Sequence, residues 1–98
     1  MFGYDLGIDL GTNSIVISVV GKGVVLSEPA YVAYDCNKGE MLYAGKRAYY
    51  LEGREPVGVS VIQPIKNGNV SNYELAQQMV EYFMNKVLKK NIFKPRIV

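Results

Sequence analysis

The 98-residue sequence predicts an α/β fold, an antiparallel three-stranded meander covered by one long amphipathic helix. Three observations predict it. Apolar residues alternate over residues 4–10 and run almost unbroken over residues 15–20. Small turn residues interrupt the pattern at Gly11-Thr12-Asn13 and again at Gly21-Lys22-Gly23. From residue 71 onward the apolar spacing lengthens from two to three or four residues.

In the first strand Tyr4, Leu6, Ile8 and Leu10 alternate with Asp5, Gly7 and Asp9, which gives one apolar and one polar face. Residues 15–20 are β-branched and nearly continuous, as suits a strand central in its sheet. Val24, Val25 and Leu26 form a short third strand after the glycine turn. Glu28-Pro29 marks a boundary, because proline lacks an amide donor and restricts the residue before it. Beyond it, residues 30–34 and 41–43 read as a strand pair joined by the polar turn Asn37-Lys38-Gly39. Residues 46–51 read as a short helix ending near Gly53, and residues 57–62 as a strand that Pro64 ends. The long helix is expected to start at Ser71. Ser71 and Glu74 have the spacing of a capping box, and Val70 with Leu75 that of a hydrophobic staple. Leu75, Met79, Tyr82, Phe83 and Val87 form its apolar stripe, and Lys86, Lys89 and Lys90 stand at the negative end of its dipole. Residues 91–94 read as a loop and residues 95–98 as the start of another strand.

Composition narrows the function classes. With 49% apolar and 20% charged residues the chain can build a packed core. A net charge of +2 without a dense basic block argues against nucleic acid as a partner. The single cysteine, Cys36, has no intramolecular disulfide partner, and without histidine no zinc site is expected, which fits a reducing, cytoplasmic setting. The start of the sequence lacks the charge and apolar core of a signal peptide. No apolar run approaches the roughly 20 residues that span a bilayer.

The stretch with chemical content is Asp9-Leu10-Gly11-Thr12-Asn13-Ser14. Amides in a tight glycine-containing turn converge on anions, and a residue larger than glycine at position 11 would hold phosphates away. Asp9 repels phosphate unless a cation stands between them, a role suited to Mg²⁺ held partly through water. A plain hairpin, with Gly, Thr and Asn present for turn geometry, explains the same stretch taken alone.

Along the whole chain, the succession Asp5-Leu6-Gly7-Ile8-Asp9-Leu10-Gly11-Thr12, Gly21-Lys22-Gly23, Glu28-Pro29, Pro64-Ile65-Lys66-Asn67-Gly68 and Phe93-Lys94-Pro95-Arg96 resembles the start of bacterial actin homologues of the rod-shape-determining MreB/Mbl family. The resemblance implies a partial actin-like ATPase fold. In it, residues 1–29 and 64–98 belong to a large lobe with a ribonuclease-H-like sheet, and residues 30–63 form a small inserted α+β lobe. It further implies an ATP site with Mg²⁺, to which Gly11, Thr12, Asn13 and Ser14 would contribute phosphate contacts and Asp9 a water-mediated metal contact. It implies assembly of the protein with itself into filaments and attachment to the inner face of the cytoplasmic membrane, where Ile92, Phe93, Met1 and Phe2 are the candidate contacts. Burial of Ile92 and Phe93 beneath the helix is the competing expectation for that pair. The second phosphate turn and the water-positioning residue of the family lie beyond residue 98, so no hydrolytic apparatus is expected in this segment and ATP binding by it should be weak or absent.

Some positions depart from the family pattern. Ile15 stands where a hydroxyl is usual, Asn67 and Asn72 replace acidic residues, and Gln63 replaces an arginine. These departures point toward a diverged paralogue acting through membrane or protein contacts without nucleotide turnover. A sugar kinase or heat-shock chaperone ATPase of the same superfamily is the other alternative. Tyr43, Tyr49 and Tyr50 are expected to pack together or to meet another subunit rather than cage a ligand. The open edge of the sheet also invites pairing or strand exchange between copies.

Overall fold

The computed structural model describes residues 6–11 and 13–89. Ten elements follow in order: β1 (Leu6–Leu10), β2 (Ser14–Val19), β3 (Gly23–Pro29), β4 (Val32–Asp35), β5 (Glu40–Ala44), α1 (Lys46–Leu51), β6 (Val59–Ile62), β7 (Ile65–Lys66), β8 (Asn69–Val70) and α2 (Tyr73–Lys89). The readings at Tyr4, Thr12, Lys90, residues 91–94 and residues 95–98 lie outside the described residues.

β1, β2 and β3 form the expected antiparallel meander with β2 in the centre. Leu6 pairs with Val19, Ile8 with Ile17 and Leu10 with Ile15, so the apolar sets of both strands share one face. On that face Ile15, Ile17 and Val19 are buried, together with Leu26 of β3. Leu6, Ile8 and Leu10 remain half-exposed, because β1 is an edge strand among the described residues. β3 extends further than its apolar residues predict. Ser27, Glu28 and Pro29 are poor strand formers, yet pairing with Val16, Ile15 and Ser14 holds them in the ladder. Proline is tolerated there because it sits at the end of a strand that is an edge among the described residues.

A second antiparallel sheet has the order β5-β4-β6. Its β4–β5 turn is fixed by Asp35, whose Oδ1 accepts the amides of Asn37 at 2.9 Å and Lys38 at 3.0 Å. Gly39 completes the turn at φ 70°. A β7–β8 hairpin, absent from the expectation, follows Pro64 and turns at Asn67 and Gly68 with φ 54° and 77°. Two successive positive φ values match the type I′ hairpin turn, for which Asn-Gly is the preferred pair.

The start of α2 also corrects the expectation. The Asn72 Oδ1 accepts the Leu75 amide at 3.0 Å, so Asn72 caps a helix that begins at Tyr73. The Ser71 hydroxyl lies within hydrogen-bonding reach of the carbonyls of Gln63 (2.9 Å) and Pro64 (3.0 Å), where it closes the base of the hairpin. Ser71 stands one residue before the cap and turns its hydroxyl back to the hairpin, so the capping box expected with Glu74 does not form. Leu75, Ala76, Met79, Phe83 and Val87 are the buried stripe of α2. Leu75, Met79, Phe83 and Val87 pack in one core with Ile15, Ile17, Val19 and Leu26 of the first sheet and with Ala30, Val32 and Ala44. Tyr82, expected in the stripe, stands at its margin with its ring edge-on to Phe83 at 5.4 Å.

Candidate functional site

The β1–β2 hairpin turn is built by alternation and one closing bond. Register places Asp9 opposite Val16, and Ser14 lies two residues from Val16, so Asp9 and Ser14 point to the face of the sheet turned away from α2. Both are exposed, and the Asp9 carboxylate has no partner among the described residues. The Gly11 amide donates to the Ser14 carbonyl at 2.9 Å, and the Asn13 carbonyl accepts the Ala30 amide at 3.0 Å. The turn is therefore anchored twice, once within the hairpin and once to the exit of β3.

These bonds decide which groups remain available. The expectation counted Gly11 among the phosphate contacts, yet its amide is engaged by Ser14. Its contribution would be space instead. A Cβ at Gly11 would find only the Ser14 carbonyl oxygen, at an ordinary 3.5 Å, and the backbone there is not left-handed. Nothing among the described residues demands a glycine at this position. The Asn13 amide, which has no partner among the described residues, remains as a donor on the turn. Thr12 lies outside them.

The same geometry bears on metal binding. Among the described residues no group of three or more His, Cys, Asp or Glu side chains converges, so no all-protein cage exists there. A lone carboxylate beside an open amide turn fits Mg²⁺, which keeps several waters and takes the rest of its shell from ligand phosphates. An apolar groove of about 420 Å³ lies nearby, lined by Leu10, Ile65, Val70, Tyr73, Ala76 and Val80 among others. It sits on the α2 face, so it is not continuous with the Asp9 face.

The structure gives three of the four departures from the family pattern a local cause. Ile15 is fully buried toward α2, so its alkyl chain fills the core and does not face the turn's polar side. Asn67 holds a left-handed turn position, which asparagine tolerates better than most residues. Asn72 caps α2. Gln63 lines a shallow surface groove with Glu52, Val61, Ile62, Lys66 and Ser71.

The tyrosines pack around α1. The Arg47 guanidinium lies 4.0 Å over the Tyr43 ring, and Tyr49 meets Tyr31 edge-on at 5.1 Å. Desolvation, then the negative charge of Glu52 and of Tyr49, raises the Tyr31 phenol above its ordinary value. Met1, Phe2, Ile92 and Phe93 fall outside the described residues. No described helix is long and apolar enough to cross a membrane.

Residues 3–98 match the family described as MreB/Mbl protein. The chain belongs to the MreB/Mbl family. It is 46% identical over 99 aligned positions to the cell shape-determining protein Mbl of Bacillus cereus, covering 100% of this chain and 30% of that protein. In three dimensions it resembles the crystal structure of MreB5 of Spiroplasma citri bound to ADP, with a TM-score of 0.77 and 27% identity over 87% of this chain and 26% of the other. The AMPPNP-bound structure of the same protein gives a TM-score of 0.76 and 28% identity over 83% and 24% of the two chains. The fold is thus the actin/MreB-like fold. The chain spans about 30% of the length of the curated relative and about a quarter of the solved structures.

Proposed function

We propose that this MreB/Mbl chain is the amino-terminal segment of a nucleotide-dependent cytoskeletal filament protein acting in cell shape, and that residues 11–14 form the first phosphate-binding turn of its ATP–Mg²⁺ site. The observation that carries this is the room for a side chain at Gly11 beside the Asp9 carboxylate, which has no partner among the described residues. A hairpin that needed glycine for its own geometry would show a positive φ or a crowded Cβ at position 11, and among the described residues it shows neither. The Asn13 amide and the Ser14 hydroxyl would donate to phosphate oxygens, and Thr12, which precedes them in sequence, would add a further contact. Asp9 would hold Mg²⁺ through water, and the ion would neutralise charge that otherwise sets phosphate against carboxylate. On this reading residues 1–29 and 64–98 belong to the large lobe and residues 30–63 to the small one. ATP would lie between this turn and residues that the chain does not contain.

The relatives' names and bound nucleotides support the same reading. Self-assembly into filaments and a cytoplasmic location at the inner membrane face belong to it, with Met1, Phe2, Ile92 and Phe93 as the lipid contacts. The reading as a paralogue without nucleotide turnover loses force, because three of the four departures that motivate it are occupied with packing, turn and cap roles.

The test is a titration of the ¹⁵N-labelled chain with Mg²⁺-ATP and with inorganic tripolyphosphate, followed through backbone amide resonances. Shifts confined to residues 11–14 and their neighbours, with weak affinity, are expected because only one wall of the site is present. Shifts centred elsewhere than residues 11–14 and their neighbours would refute the assignment.

A further inference from the structure

Glu28 is the acidic residue of β3 that lies on the apolar, α2-facing side of the sheet, opposite Ile15. Its position is unusual for a carboxylate, and both of its oxygens are engaged. Oε1 accepts the backbone amide of Lys46, the first residue of α1, at 3.0 Å. Oε2 lies 3.8 Å from the Lys86 ammonium of α2. The Glu28 side chain is only 17% exposed.

The surroundings are built around this contact. Gly45, the residue before α1, has φ 93° and offers no side chain to cap the helix. A Cβ there would crowd Glu28 Oε1 and would stand 3.2 Å from two carbons of the Phe83 ring. The glycine is therefore required both for its left-handed conformation and for the close approach of β3 and α2. Its amide donates to the Tyr31 carbonyl at 2.9 Å, which ties the start of α1 to the chain just after β3. One residue on from Pro29, the Ala30 amide holds the Asn13 carbonyl of the β1–β2 turn.

We infer that Glu28 is a positioning residue, a three-way pin that joins the β1–β2 turn, the start of α1 and the last turn of α2 into one mechanical unit. A movement of α1 against the first sheet must pull on Glu28, and through Pro29 and Ala30 it reaches the carbonyl of Asn13. The inference rests on these contacts and not on the identity of any ligand at the turn.

The decisive measurement is amide hydrogen exchange on the full 98-residue chain and two variants. Glu28→Ala removes both contacts. Glu28→Gln keeps a neutral acceptor for Lys46 while releasing Lys86. In Glu28→Ala the Lys46 amide should exchange at least about tenfold faster, as fits loss of a hydrogen bond to a charged group. The Ala30 amide should accelerate with it, while the Gly39 amide in the Asp35 turn should keep its rate. A general loss of stability would speed all three alike and would overturn the inference, as would an unchanged Lys46 rate in folded Glu28→Ala. In Glu28→Gln the Lys46 amide should stay within about tenfold of its original rate, since a neutral hydrogen bond replaces a charged one. Should Glu28→Ala not fold, this variant decides alone. A Lys46 amide exchanging as freely in Glu28→Gln as in an unstructured peptide would overturn the inference.

Discussion

Replacing Gly11 by alanine separates a turn that needs glycine for its own shape from one that keeps space for a ligand. The added Cβ would lie 3.5 Å from the Ser14 carbonyl oxygen, an ordinary contact, and the backbone is not in the left-handed region. With no strain to offset it, the lower entropy of the unfolded chain should stabilise the fold by about 0.4–1 kcal/mol. For a chain of this size that is a rise in Tm of roughly 2–8 °C, at about 4–8 °C per kcal/mol. The same methyl would occupy the space assigned to phosphate oxygens. Losing even one hydrogen bond to a charged group at about 1.5 kcal/mol would weaken Mg²⁺-tripolyphosphate binding by about tenfold. Thermal melting by circular dichroism and the amide titration measure the two effects independently. Gly45→Ala is the control. Its positive φ costs about 1–2 kcal/mol and its crowding against Glu28 and Phe83 about 1–3 kcal/mol more, so its Tm should fall by at least about 8 °C. A Gly11→Ala protein that melts well below the parent, or that binds tripolyphosphate as the parent does, would refute the reasoning.

Other expectations are simpler. Phe83 is fully buried at the centre of the core, so Phe83→Ala should cost about 3–5 kcal/mol in urea unfolding, whereas Leu88→Ala on the exposed side of α2 should stay within about 0.5 kcal/mol. Asn72→Ala should lower stability by about 0.5–2 kcal/mol and release the Leu75 amide to exchange. Ser71→Ala should leave that amide protected. The Tyr31 phenol is held above the unfolded value of about 10 by desolvation first. Because the folded state keeps a proton that the unfolded state gives up, its contribution is intact below pH of about 10 and is lost as pH rises through the folded value. Absorbance titration should show one phenolate forming late, and Tyr31→Phe should remove it.

The meander, the central place of β2 and the long helix were legible because each rests on a strong apolar period. Residues 15–20 and the spacing of Leu75, Met79, Phe83 and Val87 admit few other readings. The β7–β8 hairpin went unread although Asn67-Gly68 states its turn type, since two-residue strands are too short to show alternation. Ser71 and Glu74 fit a local rule for a helix start, and only the hairpin, which brings the carbonyls of Gln63 and Pro64 to the Ser71 hydroxyl, leaves the cap to Asn72. The turn at residues 11–14 was legible as a motif, but the closing bond that occupies the Gly11 amide was not. In the sequence Glu28, standing before Pro29, reads as a boundary marker. Its place opposite Ile15 could have been found by registering β3 on β2, which puts a carboxylate among apolar neighbours and so calls for partners.

The row of Leu6, Ile8 and Leu10 on β1 has a practical consequence at the bench. Three aliphatic side chains at 38–42% exposure stand beside a ladder edge without a neighbouring strand among the described residues. Concentrated stocks should drift toward higher-order species, and ammonium sulfate should hasten this because excluded salts favour any contact that hides oil-like surface. Light scattering against concentration would record it. Ile8→Lys, which sets a charge in the middle of the row, should keep the preparation clear.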